Sequence, residues 1–207
     1  MWNEQIIMML LEGIKDTLYM TLTSTLIGYV IGLPMGILLT VTDKDGIHPN
    51  AAVYKVLDVN ANLIRSVPFL ILLIVLIPFT RFLIGRSYGP TATIVPLVIA
   101  AAPYIARMVE SSLKEVDAGV IEAARSMGAS NFTIVTKVML VEARTSLIVG
   151  ATISLGTILG YSAMAGTVGG GGLGDIAIRY GYTRWQTDIM IVTVISVSYT
   201  HLTLPTK

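Results

Sequence analysis

The 207-residue chain has no cysteine and only two histidines, His48 and His201. The first absence excludes disulfides, thiolate metal sites and cysteine nucleophiles, and the second leaves little material for histidine-based metal chemistry. No metal, no cofactor and no catalytic residue is therefore expected. Charge is scarce too. Asp, Glu, Lys and Arg make up 13% of the residues, roughly half the ~25% of an ordinary soluble domain. A net charge of +1 lacks the electrostatic footprint of a nucleic-acid binder. What is present is apolar: 54% of residues, with a mean hydropathy of +0.75. So little charge cannot cover a water-facing surface, so lipid must be part of the solvent.

A helix needs about 20 mostly apolar residues to cross the hydrocarbon core. Five segments qualify to different degrees: 17–42, 62–84, 87–106, 145–170 and 187–204. The first is 26 residues without a charge, bracketed by Asp16 and Asp43. The second has only 15 uncharged residues between Arg65 and Arg81, so it needs those arginines to snorkel to the interface. The fifth turns polar after nine strongly apolar residues and is the weakest. Residues 1–16 lack a basic leader and read as a short amphipathic helix on the membrane surface, outside the cell.

Loop charge sets orientation. Eight Lys and Arg fall in the two loops 43–61 and 107–144 and their span borders, against five on the opposite side. That bias places both loops and the C-terminus in the cytoplasm and the N-terminus outside.

The loop 107–144 holds ten of the chain's 27 charges in 38 residues. It is patterned as two short amphipathic helices. Asp117 is placed to N-cap a helix that starts at Ala118, and Gly128 to end it in a left-handed C-cap. Val120, Ala124 and Met127 then share one face, and Glu122 and Arg125 are spaced to pair. Ser130 is placed to cap a second helix with a stripe of Phe132, Val135 and Met139. Periodicity alone fits equally well with helices that merely lie on the membrane or on each other.

Glu122-Ala123-Ala124, three residues and then Gly128 resemble the EAA loop of importer-type ABC permeases. In that pattern nine residues separate the glycine from Ile-x-Leu-Pro; Val138, Met139, Leu140 and Val141 stand here, without the proline. Arg65-Ser-Val-Pro-Phe69, Ile77-Pro-Phe-Thr-Arg81, Ala102-Pro-Tyr-Ile-Ala-Arg107, Gly160-Tyr-Ser-Ala-Met-Ala-Gly166 and the glycine run Val168–Gly174 follow in order. Together they resemble the permease family of bacterial D-/L-methionine ABC importers, from about Glu12 to Val197. The resemblance implies a type I ABC importer fold, all-α, and a transmembrane domain over 17–197. It also implies a plasma-membrane homodimer, two cytoplasmic ATPase subunits and an outside-facing methionine-binding lipoprotein. ATP hydrolysis would then reside in the partner, and Glu122, Ala123, Ala124, Gly128 and Leu140 would meet it.

Within the membrane, Gly28, Gly32 and Gly36, and Gly156 and Gly160, recur at four-residue steps that let helix backbones touch. Packing within the subunit and a dimer interface are both open, the former favoured. Pro34, Pro68, Pro78, Pro96 and Pro103 are expected to break or kink helices. The first four spans carry no Asp, Glu, Lys or His at their middles, which argues against an ion-coupled carrier or channel acting alone and against an intramembrane enzyme. Gly169, Gly171 and Gly174 satisfy a G-x-G-x-x-G pattern, but no strand precedes them and no Lys-Ser/Thr follows, so nucleotide binding is not expected. The run reads instead as a flexible end of the fourth span. Tyr161, Ser162 and Met164 are candidates for lining a pathway, or else pack between helices. After Val197 the residues 198–207 leave the pattern, which suggests a truncated or chimeric frame, with a natural divergent tail as the alternative. The same mechanism with another amino acid or a methionine derivative as cargo is the nearest competing reading.

Overall fold

The computed structural model describes residues 4–203 and is all-helical among them. Eleven α-helices are joined by short irregular turns: α1 (Glu4–Thr42), α2 (Ala51–Ser66), α3 (Phe69–Val75), α4 (Ile77–Ile84), α5 (Pro90–Lys114), α6 (Ala118–Ser126), α7 (Asn131–Thr133), α8 (Leu140–Glu142), α9 (Arg144–Ala165), α10 (Gly172–Ile176) and α11 (Thr187–Thr203). Two π-helical stretches, Ile134–Met139 and Ala177–Tyr182, are inserted between α7 and α8 and after α10.

The N-terminal segment differs from the expected surface helix. α1 is one 39-residue helix from Glu4, about 58 Å long at 1.5 Å per residue. Nothing between Asp16 and Thr17 breaks it, because Lys15 and Asp16 are ordinary helix residues and no glycine-proline pair intervenes. The second expected span is not one helix either. The helix is broken between Ser66 and Phe69 around Pro68, whose backbone is extended at φ −55°, ψ 133° and N-caps α3. Proline there cannot donate a helical hydrogen bond and forces its predecessor out of the helical region. Pro34, Pro96 and Pro103 lie instead inside the unbroken helices α1 and α5. The expectation for the glycine run also changes. Gly170, Gly172 and Gly174 are buried, and Thr17 Oγ1 accepts from Leu173 N at 2.9 Å while donating to Gly13 O at 2.8 Å. Thr93 Oγ1 donates to Gly170 O at 3.2 Å, so the run is tied down rather than loose.

The chain forms two compact units. Among the described residues one comprises 4–27, 67–100 and 152–203, the other 28–66 and 101–151. The core of the first includes Leu10, Ile176 and Ile189, with Ile6, Met9, Tyr180 and Val192 packed around them.

In the second unit α1 lies against α5 through its glycines. A Cβ on Gly36 would stand 2.5 Å from Ala106 O and 2.7 Å from Val109 Cβ; one on Gly32 would stand 2.6 Å from Ala102 O. Gly28 faces Ala101 and Ile105. These three glycines therefore serve packing within the subunit. Gly160 behaves differently, since a Cβ there meets nothing within 4 Å. Large apolar side chains such as Leu26 and Ile148 remain more than half exposed, an arrangement that lipid rather than water tolerates.

Gly36→Val is expected to destabilise the chain by about 1–3 kcal/mol through overpacking, whereas Gly160→Ala should be near neutral. Thermal unfolding of both variants in detergent checks this; equal midpoints would contradict the α1–α5 contact.

Candidate coupling surface and its charged support

Residues 107–114 of the expected loop continue α5, and beyond Lys114 the next helix forms as the capping chemistry requires. Asp117 accepts from Gly119 N at 2.7 Å and starts α6. At the other end Gly128 has φ +83°, its N–H donates to Arg125 O at 3.0 Å, and Ala129 N–H donates to Ala124 O at 3.1 Å. This is a Schellman closure, which a Cβ-bearing residue enters only with strain.

The faces of the helices differ from the simple stripes. Ala124 is buried and α6 packs on the π-helical stretch, while Val120, Ala123 and Met127 face outward. Ser130 caps α7 through Thr133 N at 3.2 Å, but Phe132, Val135 and Met139 do not form one face. Hydrogen bonds five residues apart over Ile134–Met139 realign the turn, so the buried pair is Ile134 and Met139. Phe132 is left 78% exposed, and Met127 82%. Two large apolar side chains thus project from the most charged segment of the chain. Glu122 is exposed beside them and Leu140 is half-buried.

Arg125 does not pair with Glu122. Its guanidinium donates to Ile47 O at 2.7 Å, which fastens α6 to the turn after α1. A cleft of about 620 Å³ lies between that turn, the end of α5 and α6, bordered by Asp43, Ile47, Lys114, Ile121, Glu122 and Arg125.

Behind the cleft runs a ladder of charges that the sequence reading did not single out. Arg107 Nη2 binds Asp58 on α2, and its Nη1 donates to Glu110 Oε2 at 2.6 Å. Lys114 Nζ lies 2.8 Å from Glu110 Oε1 and 2.7 Å from Asp43 Oδ2. The order Asp58–Arg107–Glu110–Lys114–Asp43 joins α2, α5 and the end of α1. Glu110 is only 6% exposed at its side chain and Arg107 17%, so each charge depends on the others for its solvation. Arg107 Nε is buried with no partner. The spacing of Arg107, Glu110 and Lys114 at three and four residues on α5 was the available signal. Their partners at 43 and 58 are remote in sequence and carry none. The Asp43 carboxyl is held below the usual carboxylate range, chiefly by its hydrogen bond from Lys114 and less by the Lys44 N–H, against the opposing effect of burial.

In the other unit, Tyr161 stacks on Phe69 with ring centroids 4.5 Å apart and planes within 6°. Ser162 is buried; its hydroxyl donates to Leu159 O at 2.7 Å and lies 3.5 Å from Thr21 Oγ1. Met164 is half exposed on α9. The structure therefore separates the three candidates: Ser162 is enclosed by protein, and Met164 is open.

An all-helical chain whose helices are long and apolar enough to cross a membrane, with an outward-facing apolar patch on its most charged segment, has the architecture of a membrane-embedded protein. Residues 14–205 match the family model described as "Binding-protein-dependent transport system inner membrane component", and the chain belongs to that family. It is 48% identical over 187 residues to the probable D-methionine transport system permease protein MetI of Vibrio cholerae, covering 90% of this chain and 83% of the relative. It is 50% identical over 164 residues to the D-methionine transport system permease protein MetI of Escherichia coli, covering 79% and 76%. A chain of the MetNI methionine ABC transporter, crystallised in inward-facing conformations, superposes with a TM-score of 0.95 at 46% identity, over 98% of this chain and 94% of that one. An amino acid ABC transporter chain at 23% identity and a TM-score of 0.73 shares the fold, over 96% and 88% of the two chains. The chain has the type I ABC importer fold.

Two outcomes follow from the ladder. Arg107→Met leaves Glu110 and Asp58 without their shared cation and is expected to cost about 3–5 kcal/mol, read as a loss of unfolding midpoint in detergent. Because the folded-state pKa of Asp43 is lowered, its contribution is fully present above the ordinary carboxylate value of about 3.9. It is lost as pH falls through the lowered folded value. Lys114→Met should therefore reduce stability at neutral pH and flatten the further loss on acidification below about pH 4; an unchanged acid-side slope would contradict the Asp43–Lys114 linkage.

Proposed function

We propose that this chain is the permease subunit of an ATP-driven importer and forms the translocation pathway for methionine, in both D- and L-forms. The observation that carries the cargo is the 46% identity and 0.95 TM-score to a chain of the MetNI methionine transporter. The named relatives at 48% and 50% identity support the same cargo. On this reading the chain lies in the bacterial inner membrane with its N-terminus outside and the loop 107–144 and C-terminus in the cytoplasm. It works as a homodimer with two cytoplasmic ATPase subunits and an outside-facing methionine-binding lipoprotein.

The loop 107–144 is the coupling element. Glu122, Ala123, Ala124, Gly128 and Leu140 define it, and Val120, Met127 and Phe132 present the apolar contact to a groove on the ATPase. A large apolar side chain at 82% exposure loses free energy in water, so a partner that covers Met127 is favoured at roughly 25 cal/mol per Å² removed from water. When the ATPase pair closes on ATP, it moves α6 as a rigid body. The Arg125–Ile47 contact passes the displacement to the end of α1, and the charge ladder passes it to α2 and α5. One chain carries one such loop, so a pair of ATPase subunits requires two copies. In the pathway Met164 is the adaptable, uncharged seal, Tyr161 is its neighbour stacked on Phe69, and Ser162 supports α9 from within the protein.

Met127→Asp with Phe132→Asp should abolish methionine uptake while the ATPase subunit retains its own hydrolysis, measured on co-expressed and separately purified components. Normal uptake would sink the coupling assignment. Met164→Asp should block uptake with the assembled complex recovered in wild-type yield, and unaltered uptake by that variant would remove Met164 from the pathway.

A further inference from the structure

The turn before α11 carries an exposed aromatic group for which neither the coupling surface nor the pathway has a use. Trp185 has φ +57°, the only positive φ at a non-glycine among the described residues. A bulky residue in the left-handed region is strained and persists only where its surroundings hold it there. Here Gln186 N–H donates to Tyr180 O at 3.2 Å and Thr187 N–H donates to Trp185 O at 3.1 Å. The effect is to hold the indole ring away from the protein, 85% exposed. Arg184 beside it lies over the Tyr180 ring at 4.6 Å and is itself exposed, whereas Arg179 is engaged by Asp175 at 2.9 Å.

The position of this turn says what covers it. The turn immediately precedes α11 (Thr187–Thr203), an apolar helix. Tryptophan and arginine side chains at the end of a span help to set its depth and tilt in the bilayer. Ile191, Val194 and Ile195 on α11 are each more than half exposed, so apolar surface of α11 is open to lipid two turns from Trp185. Gly181 packs directly on Met190, which fixes the turn to α11. An indole places its apolar body and its N–H in the headgroup region, and an arginine there meets phosphate oxygens.

We propose that Trp185 and Arg184 form an interfacial lipid anchor that sets the depth of α11, with Trp185 in the glycerol–headgroup layer and Arg184 on a phospholipid phosphate. A soluble protein partner is the competing occupant, and it would leave Trp185 in water when the permease is alone in a bilayer.

The chain has two tryptophans, Trp2 and Trp185, so Trp2→Phe leaves a single reporter. The full-length variant is reconstituted into phosphatidylethanolamine–phosphatidylglycerol vesicles, and only protein that co-floats with them is measured; Trp2→Phe with Trp185→Phe gives the baseline. Acyl chains brominated near their carbonyl end are compared with aqueous iodide as quenchers. The expected result is loss of most of the Trp185 emission to the brominated lipid and a smaller loss to iodide. Greater quenching by iodide than by brominated lipid would overturn the proposal, and would do so without touching the permease assignment, since co-flotation is scored independently.

Discussion

The approach of α1 to α5 is the constraint on which the second unit depends. Lipid tails are as apolar as leucine, so two helices gain little from burying aliphatic surface against each other, and close backbone contact must supply the attraction instead. Gly36 sits where any side chain would strike Ala106 O and Val109. That contact brings Asp43, about two turns beyond the end of the glycine face, within reach of Lys114 at the end of α5. Without the close approach the ladder of charges would lose its terminal carboxylate. The cleft beside α6 would also lose the wall formed by the end of α1 and the turn that follows.

The charges in that ladder have a physical character different from those on the loop surface. Exposed pairs such as Lys44 with Asp45 are held at 3.8 Å with both side chains more than 80% exposed, and contribute little. Arg107 and Glu110 are enclosed, so they hold α5 in a single orientation relative to α2 and the end of α1 rather than adding net stability. A part that transmits movement needs such definition. Cohesion alone would let the helices slide, whereas a network of alternating signs has few alternative registers.

Much of this was legible in the sequence, for reasons that can be traced to particular residues. Asp117 and Gly128 mark the ends of α6 because caps act within a few residues, where sequence distance and spatial distance agree. The dearth of charge specified lipid, and the ordered motifs from Arg65 to Gly174 carried the family. Three features were not readable. The docking of the first turns of α1 rests on packing of Leu10 against Ile176 and Ile189, contacts made more than 160 residues away. The break at Pro68 was visible as a proline, but Pro96 and Pro103 have the same chemistry and leave α5 unbroken, so the residue type alone does not decide. The partners of Arg107 and Lys114 come from helices whose relative placement no local pattern encodes. The pathway candidates divide in the same way: Met164 and Ser162 are two residues apart on α9, and only the tertiary structure shows that one is open and the other enclosed.

The π-helical stretch Ile134–Met139 has a consequence for how the chain tolerates change. Such a stretch is geometrically an α-helix that has absorbed one additional residue. Each residue of an α-helix turns the axis by about 100°, so that single residue sets the rotational phase of the helical turn that directly follows it, Leu140–Glu142. A one-residue deletion within 134–139 would turn α8 around its own axis by ~100°. Length, more than identity, is therefore what this segment must conserve.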